Sequence, residues 1–370
     1  MRTVCKENMC TGCSACVDVC PQKAIIIEDS INANNATIDA SVCINCGLCT
    51  RICPNMSKPE LKYPILWKQG WAENEIRKAS SSGGAAAALI KFFIISGGYV
   101  VSCMFKEGEF GFTITNNLET ARSFSGSKYV KSNPGSIYRE VKGLLKSGHK
   151  VLFLGLPCQS AAVQNYCGEY LSENLYTIDL ICHGTPSPRV LKRFVEELGF
   201  EWSKIISIQF RKKEQFGLVV DGQRIAPEGI TDSYLRAFLK SLDYTENCYS
   251  CPYATITRVS DITLGDAWGQ MADNNSEGVS LVLCQTQKGV DLVENASLHL
   301  EGVDLEKSVE SNHQLHHPSP KHQGREKFMN GIRRGYNIRK AVFLALPKES
   351  VKQSIKYELI KLGVKLENIF

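Results

Sequence analysis

The chain has sixteen cysteines in 370 residues, and eight of them form two runs of one spacing. These are Cys10-x-x-Cys13-x-x-Cys16-x-x-x-Cys20-Pro21 and Cys43-x-x-Cys46-x-x-Cys49-x-x-x-Cys53-Pro54. Three thiolates at two-residue intervals wrap one corner of an iron–sulfur cubane, and the tight turns between them aim backbone amides at the cluster sulfurs. The fourth cysteine, held off by three residues and followed by proline, ligates the cluster of the other run. Crossed ligation assigns Cys10, Cys13, Cys16 and Cys53 to one 4Fe-4S cluster and Cys43, Cys46, Cys49 and Cys20 to a second. Zinc sites use paired Cys-x-x-Cys units with long gaps between them, and disulfide frameworks belong to oxidising compartments. Neither accounts for a tripled run ending in Cys-Pro, so the expected chemistry is transfer of single electrons.

A second set of cysteines stands at strand ends. Cys158, in Gly155-Leu156-Pro157-Cys158-Gln159, follows an apolar stretch that reads as a strand, Lys150 to Leu154. Cys182, in Cys182-His183-Gly184, ends another, Leu175 to Ile181. Cys248-x-x-Cys251-Pro252 precedes a third, Asp261 to Leu264, which leads into Gly265-Asp266. Ligands of α/β sheets gather outside the carboxyl ends of strands, which makes Cys158, Cys182, Cys248 and Cys251 a candidate four-thiolate site. Spacing alone leaves three occupants open: a third cluster, a zinc ion, or a redox-active Cys-x-x-Cys beside two core cysteines. Cys5, Cys103, Cys167 and Cys284 show no pattern. Cys103 and Cys284 lie in apolar strands, where a thiol packs as a small hydrophobe.

The elements that must position these residues can be read from periodicity. Helices are expected over Ala85 to Ser96, Ile137 to Lys146, Gln159 to Tyr166 and Arg189 to Leu198. Strands are expected over Tyr99 to Phe105, the three stretches above, Val279 to Cys284 and Ser297 to Leu300, with a hairpin-like Phe110 to Thr115 that makes the sheet mixed. The fold class is therefore α/β, a mixed-sheet domain behind a small N-terminal α+β two-cluster ferredoxin domain. The expected division is 1–56 ferredoxin-type, 57–78 linker, 79–335 α/β and 336–370 a C-terminal helical extension. The interval from Pro21 to Val42 exceeds that of a minimal two-cluster ferredoxin and is expected to hold a hairpin. No repeat is visible beyond the two cysteine runs.

Composition narrows the setting. A hydrophobic content of 43% is ample for a large core. The longest apolar run, Ala85 to Ile95, is interrupted by Lys91 and too short to span a bilayer, and the first twenty residues lack a secretory pattern. A cytoplasmic protein with reduced cysteines is expected. The formal charge of +5 suggests nucleic acid at first, but each oxidised cubane with four thiolates carries about −2, which brings the loaded chain near neutrality. No nucleic-acid partner and no membrane span are expected.

The ordered motifs Ser80-Ser81-Ser82-Gly83-Gly84, Gly126-Ser127-Lys128-Tyr129-Val130, Gly-x-Pro-Cys, Asp179-Leu180-Ile181-Cys182-His183-Gly184 and Cys-x-x-Cys-Pro before Asp261-Ile262-Thr263-Leu264-Gly265-Asp266, behind a cubane module, resemble the beta-subunit family of coenzyme F420 (deazaflavin) hydrogenases and dehydrogenases. The resemblance runs from Cys10 to about Phe328. It implies FAD and a 4Fe-4S centre in the α/β part, and so a third cluster on Cys158, Cys182, Cys248 and Cys251. One departure is Gly-Leu-Pro-Cys where the family commonly has Gly-Thr-Pro-Cys, which alters a hydrogen bond near that cluster.

Within that frame, the hydroxyls and unhindered amides of Ser80, Ser81, Ser82, Gly83 and Gly84 at a helix N-terminus suit the FAD pyrophosphate, although a serine N-cap explains part of the pattern. Gly126, Ser127, Lys128 and Tyr129 offer close backbone approach and a cation for a phosphate or the reduced ring. Gly265 and Asp266 are placed near the ribityl chain or ring, or else simply close the strand. Lys128 and His183 are the catalytic candidates. His313, His316 and His317 read as surface residues, and Arg211-Lys212-Lys213 as a solvated charge run. There is no Gly-x-Gly-x-x-Gly fingerprint.

The expected function is a flavin- and iron–sulfur-dependent oxidoreductase that passes electrons between a two-electron partner at FAD and one-electron carriers. That partner is ferredoxin, deazaflavin, a nicotinamide or an organic substrate, and a hetero- or homo-oligomer is compatible. The alternative is a non-catalytic ferredoxin-type electron-transfer subunit without flavin. Gly-Leu-Pro-Cys also resembles the nucleophile loop of DNA cytosine methyltransferases, but Val293-Glu294-Asn295 stands in the wrong order and far too late for that reading.

Overall fold

The computed structural model describes residues 2–213, 215–269 and 277–363. At the N-terminus β1 (Arg2–Thr3), β2 (Ile25–Asp29) and β3 (Asn34–Ile38) form an antiparallel sheet in the order β1-β3-β2. The β2–β3 hairpin, with Ile27 opposite Ala36, occupies the long interval between the two cysteine runs. Each run turns into a short helix, Ala15–Val19 and Leu48–Ile52.

The main body is an eight-stranded mixed sheet. Its strands are β4 (Leu66–Ala72), β5 (Tyr99–Lys106), β6 (Glu109–Thr115), β7 (Val151–Gly155), β8 (Leu175–Leu180), and, beyond an inserted three-stranded sheet of β9 (Ile208–Lys212), β10 (Gln215–Val220) and β11 (Gln223–Arg224), β12 (Ile262–Asp266), β13 (Ser280–Cys284) and β14 (Leu298–Glu301). The order is β14-β4-β13-β12-β8-β7-β5-β6. β5, β7, β8 and β12 run parallel at the centre, and the flanking strands are antiparallel. Central strands buried on both faces read as continuous apolar runs, and every residue of β7 and β13 is buried.

Two faces make two cores. Leu152, Ile178, Ile262 and Val282 pack under Leu89 and Phe93 of the Ala85–Ile95 helix. On the other face Val151 and Phe153 pack under Val141, Leu145 and Val163 of the Ile137–Lys146 and Pro157–Cys167 helices. Cys13, Ala15 and Ile52 of the ferredoxin-type unit belong to that second core, so the unit is seated on the α/β body. Tyr138 Oη donates to Cys13 O at 2.8 Å, Tyr253 Oη to Pro54 O at 2.8 Å, and Ser187 Oγ to Asp29 Oδ2 at 2.5 Å.

Two expected boundaries change. The stretch 57–78 is no simple linker, because it supplies β4, paired with both β13 and β14, and the Asn74–Ala79 helix. Its Leu-Trp-Lys-Gln-Gly-Trp-Ala sequence lacks alternation because tertiary contacts override local pattern here: a side chain at Gly70 would stand 2.1 Å from His299 O. The stretch from 336 is not a separate extension. Ile338, Ala341 and Val342 of its Ile338–Ala345 helix share a core with Phe328 and Ile332 and with Phe210 and Leu218 of the inserted sheet. Among the described residues no helix is long and apolar enough to cross a membrane.

Candidate functional site

The two cysteine runs fold alike. Gly12 and Ser14 flank Cys13 with φ of 70° and 62°, and Asn45 and Gly47 flank Cys46 with φ of 53° and 73°. Left-handed residues on both sides of the middle cysteine curl the loop around a common centre, a conformation that favours Gly, Asn or a short polar residue. Gly12 N donates to Cys10 Sγ and Ala24 N to Cys20 Sγ, each at 3.4 Å. Cys10, Cys13, Cys16 and Cys53 line one cavity of about 280 Å³, part of it open to solvent. Cys5, which carried no signal in sequence, lines it too. Its proximity lowers Cys10 and brings Cys53 to about 7, whereas burial pushes Cys13 up to about 12. Cys20, Cys43 and Cys49 are half-buried and Cys46 is exposed, which sets the second run at the surface.

The dispersed cysteines converge. Cys158, after β7, Cys182, after β8, and Cys248 and Cys251, from the Glu246–Ser250 turn and the residue after it, line a single cavity of about 620 Å³, part of it open to solvent. Gly184 lets the Cys182 loop lie against Tyr244: its φ is 139°, and a Cβ there would meet the ring at 2.3 Å. Thr245 N donates to Thr185 O at 3.0 Å, tying the Cys248 turn to the same loop. Arg258, paired with Asp179 at 2.9 Å, forms another wall. Burial pushes Cys158 well up, Cys182 to about 12 and Cys251 to about 11, so these thiols ionise only against positive charge brought to them. Among the described residues no three His, Cys, Asp or Glu side chains close on a single point as a lone ion requires. The four thiols line one volume instead.

The two cavities adjoin. Met9, Thr11 and Asn55 of the ferredoxin-type unit line the larger one, and Thr11 also lines the smaller. Tyr253, 1% exposed, lines the larger cavity and reaches Pro54 O beside Cys53.

His183 lines the same cavity. Gln314 Nε2 stands 2.8 Å from its Nδ1 and 2.7 Å from His313 Nε2, and burial lowers His183 to about 4. His316 and His317 are exposed, as expected of surface residues, but His313 is half-buried against the His183 ring.

The remaining motif residues meet at the far end of β12. Ser127 N donates to Ser81 Oγ at 3.1 Å, joining the two glycine-bearing loops. Ser80 Oγ and Ser82 Oγ donate to Ile76 O and Val279 O. Among the described residues the amides of 81–84 have no partner, and they precede an eleven-residue helix. Gly83 is required by packing, since a Cβ would stand 2.5 Å from Gly70 O and Ser280 N. Lys128 differs from expectation: its Nζ donates to the carbonyls of Phe124, Ser125 and Gly126 at 3.0 to 3.2 Å, which uses all three of its protons.

The cations beside the Ser/Gly segment are others, and they correct the solvated reading of Arg211-Lys212-Lys213. Arg211 is buried and pairs with Asp266 at 2.6 Å, with its guanidinium over Phe216 and Trp268. Lys213 Nζ reaches Arg77 O, and Ser82 O at 3.1 Å. Burial and the Arg77 and Arg211 charges lower Lys213. Arg211 and Lys213 sit in a strand and turn whose alternation hides their inward direction, so no local signal marks them.

Residues 148–307 match the family model for the C-terminus of the coenzyme F420 hydrogenase/dehydrogenase beta subunit, and residues 9–56 match that for a 4Fe-4S dicluster domain. No curated protein sequence matches the chain. Among solved structures, a chain of the xenon-derivatised F420-reducing [NiFe] hydrogenase complex from Methanosarcina barkeri is 19% identical with a TM-score of 0.49, over 74% of this chain and 95% of that one.

Proposed function

We propose, from the match of residues 9–56 to a 4Fe-4S dicluster domain and of residues 148–307 to the C-terminus of the coenzyme F420 hydrogenase/dehydrogenase beta subunit, that this chain is an iron–sulfur flavoprotein that exchanges an electron pair with a two-electron partner and single electrons with a carrier. The observation that carries the reading is the convergence of Cys158, Cys182, Cys248 and Cys251 on one cavity shared with the ferredoxin-type loops. Three cysteine sets then stand in the chain: the Cys20, Cys43, Cys46 and Cys49 set toward the surface, the buried Cys10, Cys13, Cys16 and Cys53 set, and the half-buried Cys158, Cys182, Cys248 and Cys251 set beside it. Each would hold a cubane, and three cubanes in sequence make a path for one-electron steps.

The opposite end of that path suits FAD, which when bound converts hydride transfer into single-electron transfer. The unpartnered amides of 81–84 and the nearby positive charge of Arg77 and Lys213 favour a pyrophosphate. The aromatic and ion-paired wall of Tyr129, Arg211, Trp268 and Asp266 suits a ring. Lys128 acts by shaping the Gly126 loop, and His183 by holding the Cys182 turn, since Ser319 Oγ donates to its carbonyl at 2.7 Å. The deazaflavin is the first two-electron partner to screen.

Anaerobic purification with iron, sulfide and flavin quantification tests the reading. About twelve irons and one FAD per chain are expected, four irons per cubane. Cys251→Ser should retain about eight irons, and full retention would reject the third site. Twelve irons without flavin would favour a non-catalytic electron wire.

A further inference from the structure

Lys131 is 8% exposed and stands at the partition between the two inner cysteine cavities. Its Nζ donates to Thr11 O at 2.9 Å, the carbonyl between Cys10 and Gly12, and its side chain lines the cavity of Cys158, Cys182, Cys248 and Cys251. The same positive charge acts on Cys10 of one set and Cys158 of the other. Among the described residues no carboxylate pairs with it, whereas Arg258 on another wall is neutralised by Asp179. A buried ammonium without a counter-charge is costly, so this one requires negative charge from whatever fills the cavities beside it.

The fold is arranged to hold it there. Gly12 leaves room for its stem, because a Cβ at residue 12 would stand 3.0 Å from Lys131 Cδ. The segment is anchored at successive residues. Lys131 N donates to Pro186 O at 2.9 Å, Ser132 Oγ accepts from Gln159 of the Cys158 helix at 3.0 Å, and Asn133 Oδ1 accepts from Ser14 Oγ of the first loop at 3.1 Å.

We propose that Lys131 is the shared counter-ion of the first and third clusters and raises the reduction potentials of both together. The inference rests on the function proposed above. Adding an electron adds a negative charge to a cluster, and a fixed cation beside it favours the reduced state at close range in a poorly solvated site. Cys20, Cys43, Cys46 and Cys49 line neither of the two cavities beside Lys131, and the second cluster serves as an internal standard.

The test is an anaerobic redox titration followed by electron paramagnetic resonance, with iron per chain measured alongside, on wild type, Lys131→Gln and Lys131→Arg. Lys131→Gln should keep about twelve irons while two of three midpoints fall, each by about tenfold or more in the reduction equilibrium, about 59 mV for a one-electron couple. Lys131→Arg should restore both. Unmoved midpoints at full iron, or a fall in one cluster only, would overturn the proposal. If Lys131→Gln loses iron, retention of iron and wild-type midpoints by Lys131→Arg supports the counter-ion, and loss of iron from both variants makes Lys131 a strut and overturns it. Eight irons in the wild type would remove the third cluster and the functional reading with it. Twelve irons with unmoved midpoints would remove only the role of Lys131.

Discussion

Asp243 provides a test of how this interior treats charge. It is fully buried, and neither carboxyl oxygen finds a hydrogen-bond partner elsewhere among the described residues. Burial raises its pKa from 3.8 to about 8, only partly opposed by the charge of Arg325. In the unfolded chain an aspartate titrates near 3.9. Between about pH 4 and pH 8 the folded protein therefore holds a proton that the unfolded chain has released, and stability falls as pH rises through that window. The slope is at most about 1.4 kcal/mol per pH unit, and across the window the loss is on the order of several kcal/mol, a large share of a typical 5–15 kcal/mol. Asp243→Asn keeps the shape and cannot ionise. Thermal unfolding of wild type and variant, at one scan rate and fixed cluster loading, should show midpoints only about 3 °C apart at pH 5. At pH 8.5 the variant should unfold several degrees higher, taking roughly 2 °C per kcal/mol for a chain of this size. A difference that does not change with pH, or a variant less stable at pH 8.5, would refute the reasoning.

Three further outcomes follow from the geometry. Gly184→Ala forces a Cβ into the Tyr244 ring and should displace Cys182, so iron analysis is expected to show loss of about four irons while the two ferredoxin-type clusters keep their signals; unchanged iron would mean that the loop yields without cost. Asp266→Asn leaves the Arg211 guanidinium buried without its partner at a cost of about 3 kcal/mol or more, and released-flavin absorbance should fall relative to iron; an unchanged flavin-to-iron ratio would place the ring elsewhere. Cys5→Ala removes a thiol that lines the cavity of Cys10 and Cys53, so the first cluster should stay loaded with a lower midpoint, and loss of its iron would instead identify Cys5 as a ligand.

The legibility of the chain follows the range of the interactions concerned. The Cys10–Cys20 and Cys43–Cys53 runs could be read directly because cubane ligation is a local constraint, a matter of turns between neighbouring thiolates. The same holds for the Ile137–Lys146 helix and the buried strands β7 and β13, whose apolar patterns are set by the cores they face. Strand-end positions marked Cys158, Cys182, Cys248 and Cys251 as a candidate site, and the resemblance of ordered motifs carried the reading further, to a third cluster there and to FAD at the Ser80–Gly84 segment. What no local pattern contained were the placements made by distant chain: β4 drawn into the sheet between β13 and β14, Arg211 turned inward onto Asp266, and Lys128 consumed by its own loop's carbonyls. Lys131 shows the reason most plainly. In sequence it is one lysine among many, and only the seating of Gly12 against segment 131–133 puts its charge between two cysteine cavities. Spacing alone determined the two cubane-type cysteine runs. The packing of the ferredoxin-type unit on the α/β body decided which side chains border the two cysteine cavities, because burial and charge depend on neighbours that the chain brings together only when folded.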